Sequence, residues 1–190
     1  MNIFVLSNDP AKAAQMQCDR HIIKMTLESA QMLSTAHRVL DGDQIRQRSK
    51  SGLRHVTTYR HPDSHLDQVL YKSVHVNHPC TVWTRQSSAN YNWHYQHFIA
   101  LCNEFTYRYG KIHKTDRQLR FVLARLPENI PQSSEFTPMP LAMFDECKVS
   151  DNVVECYRNY YQTKQNKFNV QWTRRHAPDW FQFHNEGYVL

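Results

Sequence analysis

Helical periodicity dominates the first forty residues of the chain. Apolar side chains recur every three or four positions, which predicts a long amphipathic helix over residues 10–40, bent near Asp19. Residues 7–10 (Ser-Asn-Asp-Pro) supply a capping side chain followed by proline, which is typical of a helix start. Gly42 lies just beyond the last periodic position and is expected to end the helix.

The same periodicity predicts three further helices. They cover residues 81–109, where Gly110 marks the end, and residues 115–126 and 152–168. A short helix is predicted at residues 65–73. We therefore expect a mainly α protein with long helices, irregular connections and little or no sheet.

Three segments lack this periodicity. Residues 43–64 are polar and basic and predict an exposed basic loop, whereas residues 127–150 hold four prolines and predict an irregular connection. Residues 172–190 form an aromatic and basic tail. No repeat or linker divides the chain, so we expect residues 1–190 to form one compact domain.

Composition favours an anionic partner. The 190 residues carry a formal charge of +6 and include 23 aromatic rings from Tyr, Phe and Trp, which suits nucleic acid first and acidic lipid second. Only four glycines occur and no Gly-rich phosphate-binding motif is present. No apolar run approaches the roughly 20 residues that span a bilayer, so no membrane partner is expected.

The cysteines predict a reducing compartment. Their number is odd, no Cys-x-x-Cys pair occurs, and no secretory signal opens the sequence. We therefore expect a cytoplasmic protein, in the host cell if the chain is viral.

Three ionisable side chains share one stripe of the first helix. His21, Lys24 and Glu28 are spaced i, i+3, i+7, so they stack on one face. Glu28 is the candidate general acid or base, Lys24 an amine nucleophile or phosphate contact, and His21 a group that positions either. The alternative is an ordinary amphipathic helix with an exposed Lys24–Glu28 pair.

Histidine and cysteine spacing offers a second candidate site. Cys18 with His21, and His78 with Cys80, could supply four ligands to zinc. Alternatively, Asn77 and His78 hydrogen-bond the backbone and cap the helix that follows.

Basic side chains near aromatic residues could bind nucleic acid. Lysine and arginine pair with phosphates, and rings stack on an extruded base, although such rings are also ordinary packing residues. The candidate phosphate contacts are Arg46, Arg48, Lys50 and Arg54 in the loop and Arg174 and Arg175 in the tail.

The order of these pieces resembles the pyrimidine-dimer DNA glycosylase/AP lyase family of the phage endonuclease V type. The resemblance rests on the opening Met-Asn-Ile-Phe-Val-Leu, on His21 seven residues before Glu28, on the Asn77-His78-Pro79 turn before a long helix, on Ile130-Pro131, and on the aromatic-basic tail.

This resemblance implies a DNA base-excision enzyme. Glu28 would be the catalytic carboxylate, and an amine would form a Schiff base with C1′ of a deoxyribose in double-stranded DNA that carries a damaged or modified pyrimidine. Residue 2 is Asn, which disfavours removal of Met1, so the nucleophile would be the Met1 amine or Lys24. Arg20 and the Asn77-His78 turn are candidate substrate contacts. No cofactor or metal is expected, because imine chemistry needs only an amine and a carboxylate.

Two rival functions remain open at this point. One is a non-catalytic nucleic-acid-binding protein that uses the same basic surface. The other is a zinc- or nucleotide-binding enzyme built on Cys18, His21, His78 and Cys80.

Overall fold

The computed structural model describes residues 1–49 and 51–184, and this part of the chain is rich in helix. Its helices are α1 (Pro10–Gln15), α2 (Asp19–Asp41), α3 (Ser64–Val69), α4 (Pro79–Thr84), α5 (Ser88–Tyr109), α6 (Lys114–Leu119) and α7 (Val153–Gln162). Its strands are β1 (Asp43–Arg48) and β2 (His55–Arg60), and short 3₁₀ turns cover Asp145–Cys147 and Thr163–Asn166. The prediction of a helix-rich protein is confirmed, but several predicted long helices are shorter or divided.

The helix predicted over residues 10–40 is two helices, α1 and α2. Asp9 caps α1 as expected, because its Oδ1 accepts hydrogen bonds from the amides of Ala11 (2.7 Å) and Lys12 (3.1 Å). The predicted bend near Asp19 is a complete break at residues 16–18. A carbonyl in this break has a tertiary partner, since the Trp172 indole donates to Met16 O at 3.0 Å.

The helix predicted over residues 81–109 is also divided, into α4 and α5. Ser87 caps α5, since its hydroxyl oxygen accepts from the Asn90 amide at 3.1 Å, and the Asn90 side chain donates back to Trp83 O at 2.8 Å. Gly110 ends α5 as predicted, in the left-handed conformation with φ of 65°.

The remaining predicted helices differ in length. Residues 115–126 hold all of α6 but its first residue, followed by turns, and 152–168 hold α7 followed by a 3₁₀ turn. The short helix predicted at 65–73 is α3, which stops at Val69. The irregular connection over residues 127–150 is confirmed, apart from its single 3₁₀ turn.

The predicted basic loop at 43–64 is exposed but is not a loop. Its residues form an antiparallel hairpin in which Asp43 pairs with Arg60 and Arg48 with His55. β2 contains the β-branched run Val56-Thr57-Thr58, which favours a strand, and the arginines on both strands hid this pattern. Lys50 lies outside the described residues.

Two apolar clusters form the core, and α2 contributes to both. In the first cluster, Ile22 and Met25 of α2 pack with residues 3–6, α4, α7 and the tail. In the second, Leu33 packs with Phe98 of α5 and with Leu119. Along the described chain, no helix is long and apolar enough to cross a membrane.

Candidate active site

A cavity of about 510 Å³ opens between the start of the chain, α2 and the segment that follows α7. This volume is in the range of small-molecule sites. Its aromatic walls are Phe4, Phe144, Tyr160 and Phe168. Its titratable lining groups are Met1, His21, Lys24, Glu28, His78, Lys164 and Lys167. The cavity therefore brings together all four residues that the sequence suggested for catalysis.

The first residues of the chain hold the α-amine in this cavity. Ile3 and Leu6 are fully buried, and Asn2 fixes the turn between the amine and the core. The Asn2 side chain donates to Ala142 O at 2.8 Å and accepts from the amides of Ile3 (2.8 Å) and Phe4 (3.0 Å). From the sequence, Asn2 was expected only to disfavour the removal of Met1. In the structure its side chain also anchors the start of the chain, which holds the amine in place.

Glu28 lies between two amines. Its Oε2 is 3.8 Å from the Met1 nitrogen, and its Oε1 is 3.3 Å from Lys24 Nζ. The Glu28 side chain is 13% exposed, whereas that of Lys24 is 61% exposed. The Lys24–Glu28 pair proposed as the simple alternative is therefore present, but its carboxylate also faces the α-amine of Met1.

His21 is held as a neutral ring. Its Nδ1 is 2.6 Å from the Tyr161 hydroxyl, and its ring stacks on Phe4 with 4.7 Å between centroids. Burial, together with the charges of Lys164 and Lys24, lowers the pKa of His21 to about 3. Near neutral pH the His21 ring is therefore uncharged, and its role is to position its neighbours.

His78 combines a structural position with a place in the cavity. Its Nδ1 accepts from the Cys80 amide at 3.2 Å, which caps α4 as the capping alternative predicted. Burial and the nearby Met1 amine lower the pKa of His78. With Nδ1 accepting, the neutral ring carries its proton on Nε2 and can donate from there. Asn77, the other residue of the turn, is exposed.

Lys164 is the lining residue that sequence reasoning missed. It lies in the 3₁₀ turn after α7, is 5% exposed, and places Nζ 3.3 Å from the centroid of the Tyr160 ring. Burial and the charge of Lys167 lower the pKa of Lys164 to about 8. The available signal was the i, i+4 spacing of Tyr160 and Lys164, which puts a lysine beside a ring on one helical face.

The proposed zinc ligands do not converge. Cys18 Sγ and His21 Nδ1 both contact the Tyr161 hydroxyl, at 3.4 and 2.6 Å, and His78 Nδ1 is occupied by the Cys80 amide. Burial raises the pKa of the Cys80 thiol to about 11, which disfavours the thiolate that zinc needs. Among the described residues these four do not come together as a group of potential metal ligands, and a zinc site built on them stays an untested alternative.

A different group of potential ligands lies at the base of the hairpin. Within the described ranges it is the one group of three such residues that comes together, and it consists of His37, Asp41 and His61. The Asp41 Oδ2 is 4.0 Å from His37 Nδ1 and 3.9 Å from His61 Nε2. However, His61 Nδ1 accepts from the Asp63 amide at 3.1 Å, so the neutral ring has its proton on Nε2, the atom that faces Asp41. This bonding favours a histidine–carboxylate contact over a metal site.

The basic residues proposed to contact DNA fall into two groups. Arg46, Arg48 and Arg54 are exposed on the hairpin, where nothing in their placement opposes a contact with phosphate. In the tail, Arg175 donates two 2.8 Å hydrogen bonds to the Glu104 carboxylate, and Arg174 donates to Tyr107 O at 2.8 Å.

Those bonds anchor the tail. They give both tail arginines a structural role, and a contact with phosphate remains a prediction there. Arg20 lies at the edge of the cavity, with its guanidinium carbon 4.6 Å from the centre of the Phe168 ring.

Comparisons with family models, with curated proteins and with solved structures gave no match to this chain.

Proposed function

We propose that this protein excises bases from DNA as a glycosylase/AP lyase that acts through a Schiff base. The observation that carries the proposal is the pairing of the chain's α-amine with a carboxylate, Met1 N to Glu28 Oε2 at 3.8 Å, inside an aromatic-lined cavity. The resemblance to the phage endonuclease V type supports the same assignment, because it suggests Glu28 as the catalytic carboxylate and an amine as the nucleophile.

The groups in the cavity can account for the attack on C1′ and for the proton that moves from the attacking nitrogen to the sugar. In its deprotonated form the Met1 amine attacks C1′, and the base leaves with the electron pair of its bond to C1′ and takes up a proton from water. Glu28 accepts a proton from the attacking nitrogen and passes it to the sugar ring oxygen, so that the ring opens to an imine. Loss of a proton from C2′ then expels the 3′ phosphate.

The aromatic walls suit the other half of the substrate. A base that leaves the duplex loses its stacking, and rings such as Phe144 and Phe168 can replace that stacking. Because rings stack on every base, these walls suit an extruded base of any kind and do not select one lesion.

Trapping with cyanoborohydride tests the chemistry without knowledge of the lesion. The protein is incubated with a duplex that contains one abasic site, whose aldehyde reacts directly with an amine. We expect a covalent adduct, and peptide mapping should find the DNA on Met1. An adduct on Lys24 would keep the Schiff base but change the nucleophile, whereas binding without any adduct would favour the non-catalytic alternative.

The first variant to measure is Glu28→Gln. If Glu28 transfers protons, the turnover of abasic DNA should fall by about 10²-fold or more, with DNA affinity and melting temperature nearly unchanged. Glu135→Gln, which removes an exposed carboxylate outside the cavity, is the matched control and should keep full activity. Full activity of Glu28→Gln would remove this mechanism.

A further inference from the structure

Lys164 is buried, and the described part of the chain gives it no anionic partner. The residue is 5% exposed, and no carboxylate of the described residues lies within 4.0 Å of its Nζ. Its nearest groups are aromatic, with the Tyr160 and Phe4 ring centroids at 3.3 and 5.6 Å. Lysine is rarely buried to this extent unless it is paired, so the structure leaves one interaction of this side chain unexplained.

The environment of Lys164 keeps it cationic in spite of burial. Burial lowers its pKa to about 8, but the negative face of the Tyr160 ring attracts an ammonium ion and opposes that loss. The nearest carboxylate in the cavity, Glu28, is already shared by Met1 and Lys24. An ammonium ion that faces open space in a cavity is an anion-binding group.

The cavity as a whole has an excess of positive charge. The Met1 amine, Lys24, Lys164 and Lys167 line it together with Glu28, the one carboxylate among its described lining residues. The two lining histidines have lowered pKa values and add no charge near neutral pH. Lysines gathered in this way repel one another, and a bound anion would relieve that repulsion.

We propose that Lys164, flanked by Lys24 and Lys167, binds the backbone phosphate next to the sugar that reacts with Met1. The inference rests on the proposed function, since it places the deoxyribose in the same cavity. A free nucleotide offers similar phosphate chemistry, but the exposed hairpin arginines favour a phosphodiester of a longer DNA strand.

The test compares two duplexes that cannot react. Each carries a tetrahydrofuran abasic analogue, which has no aldehyde, and one of them has a neutral methylphosphonate on either side of that site. Lys164→Met should weaken binding to the phosphate duplex by about tenfold, the scale of one charge-assisted hydrogen bond, and should cause no further loss on the methylphosphonate duplex. Lys164→Arg should keep most of the affinity, because it retains the charge.

Lys111→Met is the matched control, because it removes an exposed lysine that lies outside the cavity. It should change the affinity for both duplexes equally. An equal loss for Lys164→Met on the two duplexes would overturn the phosphate subsite. Binding of thymidine 5′-monophosphate with no preference for the phosphate duplex would overturn the choice of a backbone phosphate.

Trapping on the aldehyde duplex separates this inference from the proposed function. Lys164→Arg should still form the adduct, whereas loss of the adduct with unchanged binding would make Lys164 the nucleophile and overturn the subsite. If the unaltered protein forms no adduct but Lys164→Met still distinguishes the two unreactive duplexes, the proposed function fails and the phosphate contact stands.

Discussion

Glu104 shows how a single buried carboxylate fixes the tail of this protein. Burial alone would raise the pKa of Glu104, but hydrogen bonds from Arg175 and Arg108 outweigh it and hold the pKa below its usual range. Arg108 also donates to Asp19 at 2.9 Å, and Asp19 in turn accepts from the Thr173 hydroxyl at 2.7 Å. The network joins α2, α5 and the tail.

Glu104→Gln should therefore be strongly destabilising. The change removes one of the two carboxylates that pair with the buried Arg108 guanidinium and leaves only Asp19, which is expected to lower the free energy of unfolding by up to about 3–5 kcal/mol. Urea titrations would measure this loss, and Glu135→Gln on the surface should stay within about 0.5 kcal/mol of the unaltered protein. A small effect for Glu104→Gln would mean that the tail is held by its buried rings, Trp172 and Phe181, and not by this network.

At the scale of elements, the hairpin formed by β1 and β2 is the most exposed basic feature. Arg46, Arg48 and Arg54 lie on its surface, and Leu53 at the turn is 89% exposed. Each phosphate contact on duplex DNA steepens the dependence of log affinity on log salt by about 0.9. A hairpin that lies on the DNA should therefore account for a measurable part of that slope.

Changing Arg46, Arg48 and Arg54 together to serine should flatten the salt dependence of DNA binding. The slope should fall by up to about 0.9 for each contact removed. Fluorescence anisotropy at several salt concentrations would measure it, with Lys12, Lys72 and Lys111 changed together as the control for lost charge. Equal slopes for the two triple variants would show that the hairpin lies away from the DNA.

The elements also show where sequence patterns stop being informative. The stripe of His21, Lys24 and Glu28 could be found because helical spacing alone puts these residues on one face. The breaks before α2 and α5 could not, since they depend on tertiary partners such as the Trp172 indole on Met16 O.

Two further features were not predicted from the sequence, for other physical reasons. The β1–β2 hairpin was missed because the arginines and other polar residues of both strands made the segment resemble an exposed loop. Lys164 was missed because its burial depends on how the segment after α7 folds back over Phe4.

At the scale of the whole molecule, several histidines are buried as neutral rings. Burial lowers the pKa of His97 from 6.5 to about 4, and does the same for His37. The ring of His97 is satisfied as a neutral group, because Nδ1 donates to Pro10 O at 2.9 Å and Nε2 accepts from Gln17 at 3.2 Å.

These histidines predict a loss of stability in mild acid. In the unfolded chain these histidines bind protons near pH 6.5, whereas in the folded protein they bind them only near pH 4. Their contribution to stability is therefore complete above pH 6.5 and is lost as the pH falls from 6.5 to 4. Each ring adds a slope of up to about 1.4 kcal/mol per pH unit. Urea titrations between pH 7 and 4.5 should show this fall in the free energy of unfolding. His97→Gln should lower the number of protons taken up on unfolding, which the slope measures, by about one. A flat profile for the unaltered protein would contradict the prediction.

The burial of every cysteine has a practical consequence for tracing the path of a bound strand. All five thiols are free and buried, and burial raises the pKa of Cys80 to about 11 and lifts the pKa of Cys102 and Cys147 above the usual range. The folded protein therefore offers little thiolate to a reagent in solution. The exposed cysteine of Arg46→Cys should react far faster than the five native cysteines. Disulfide cross-linking to thiol-bearing oligonucleotides would therefore report contacts at this one position, and no native cysteine would need to be replaced first.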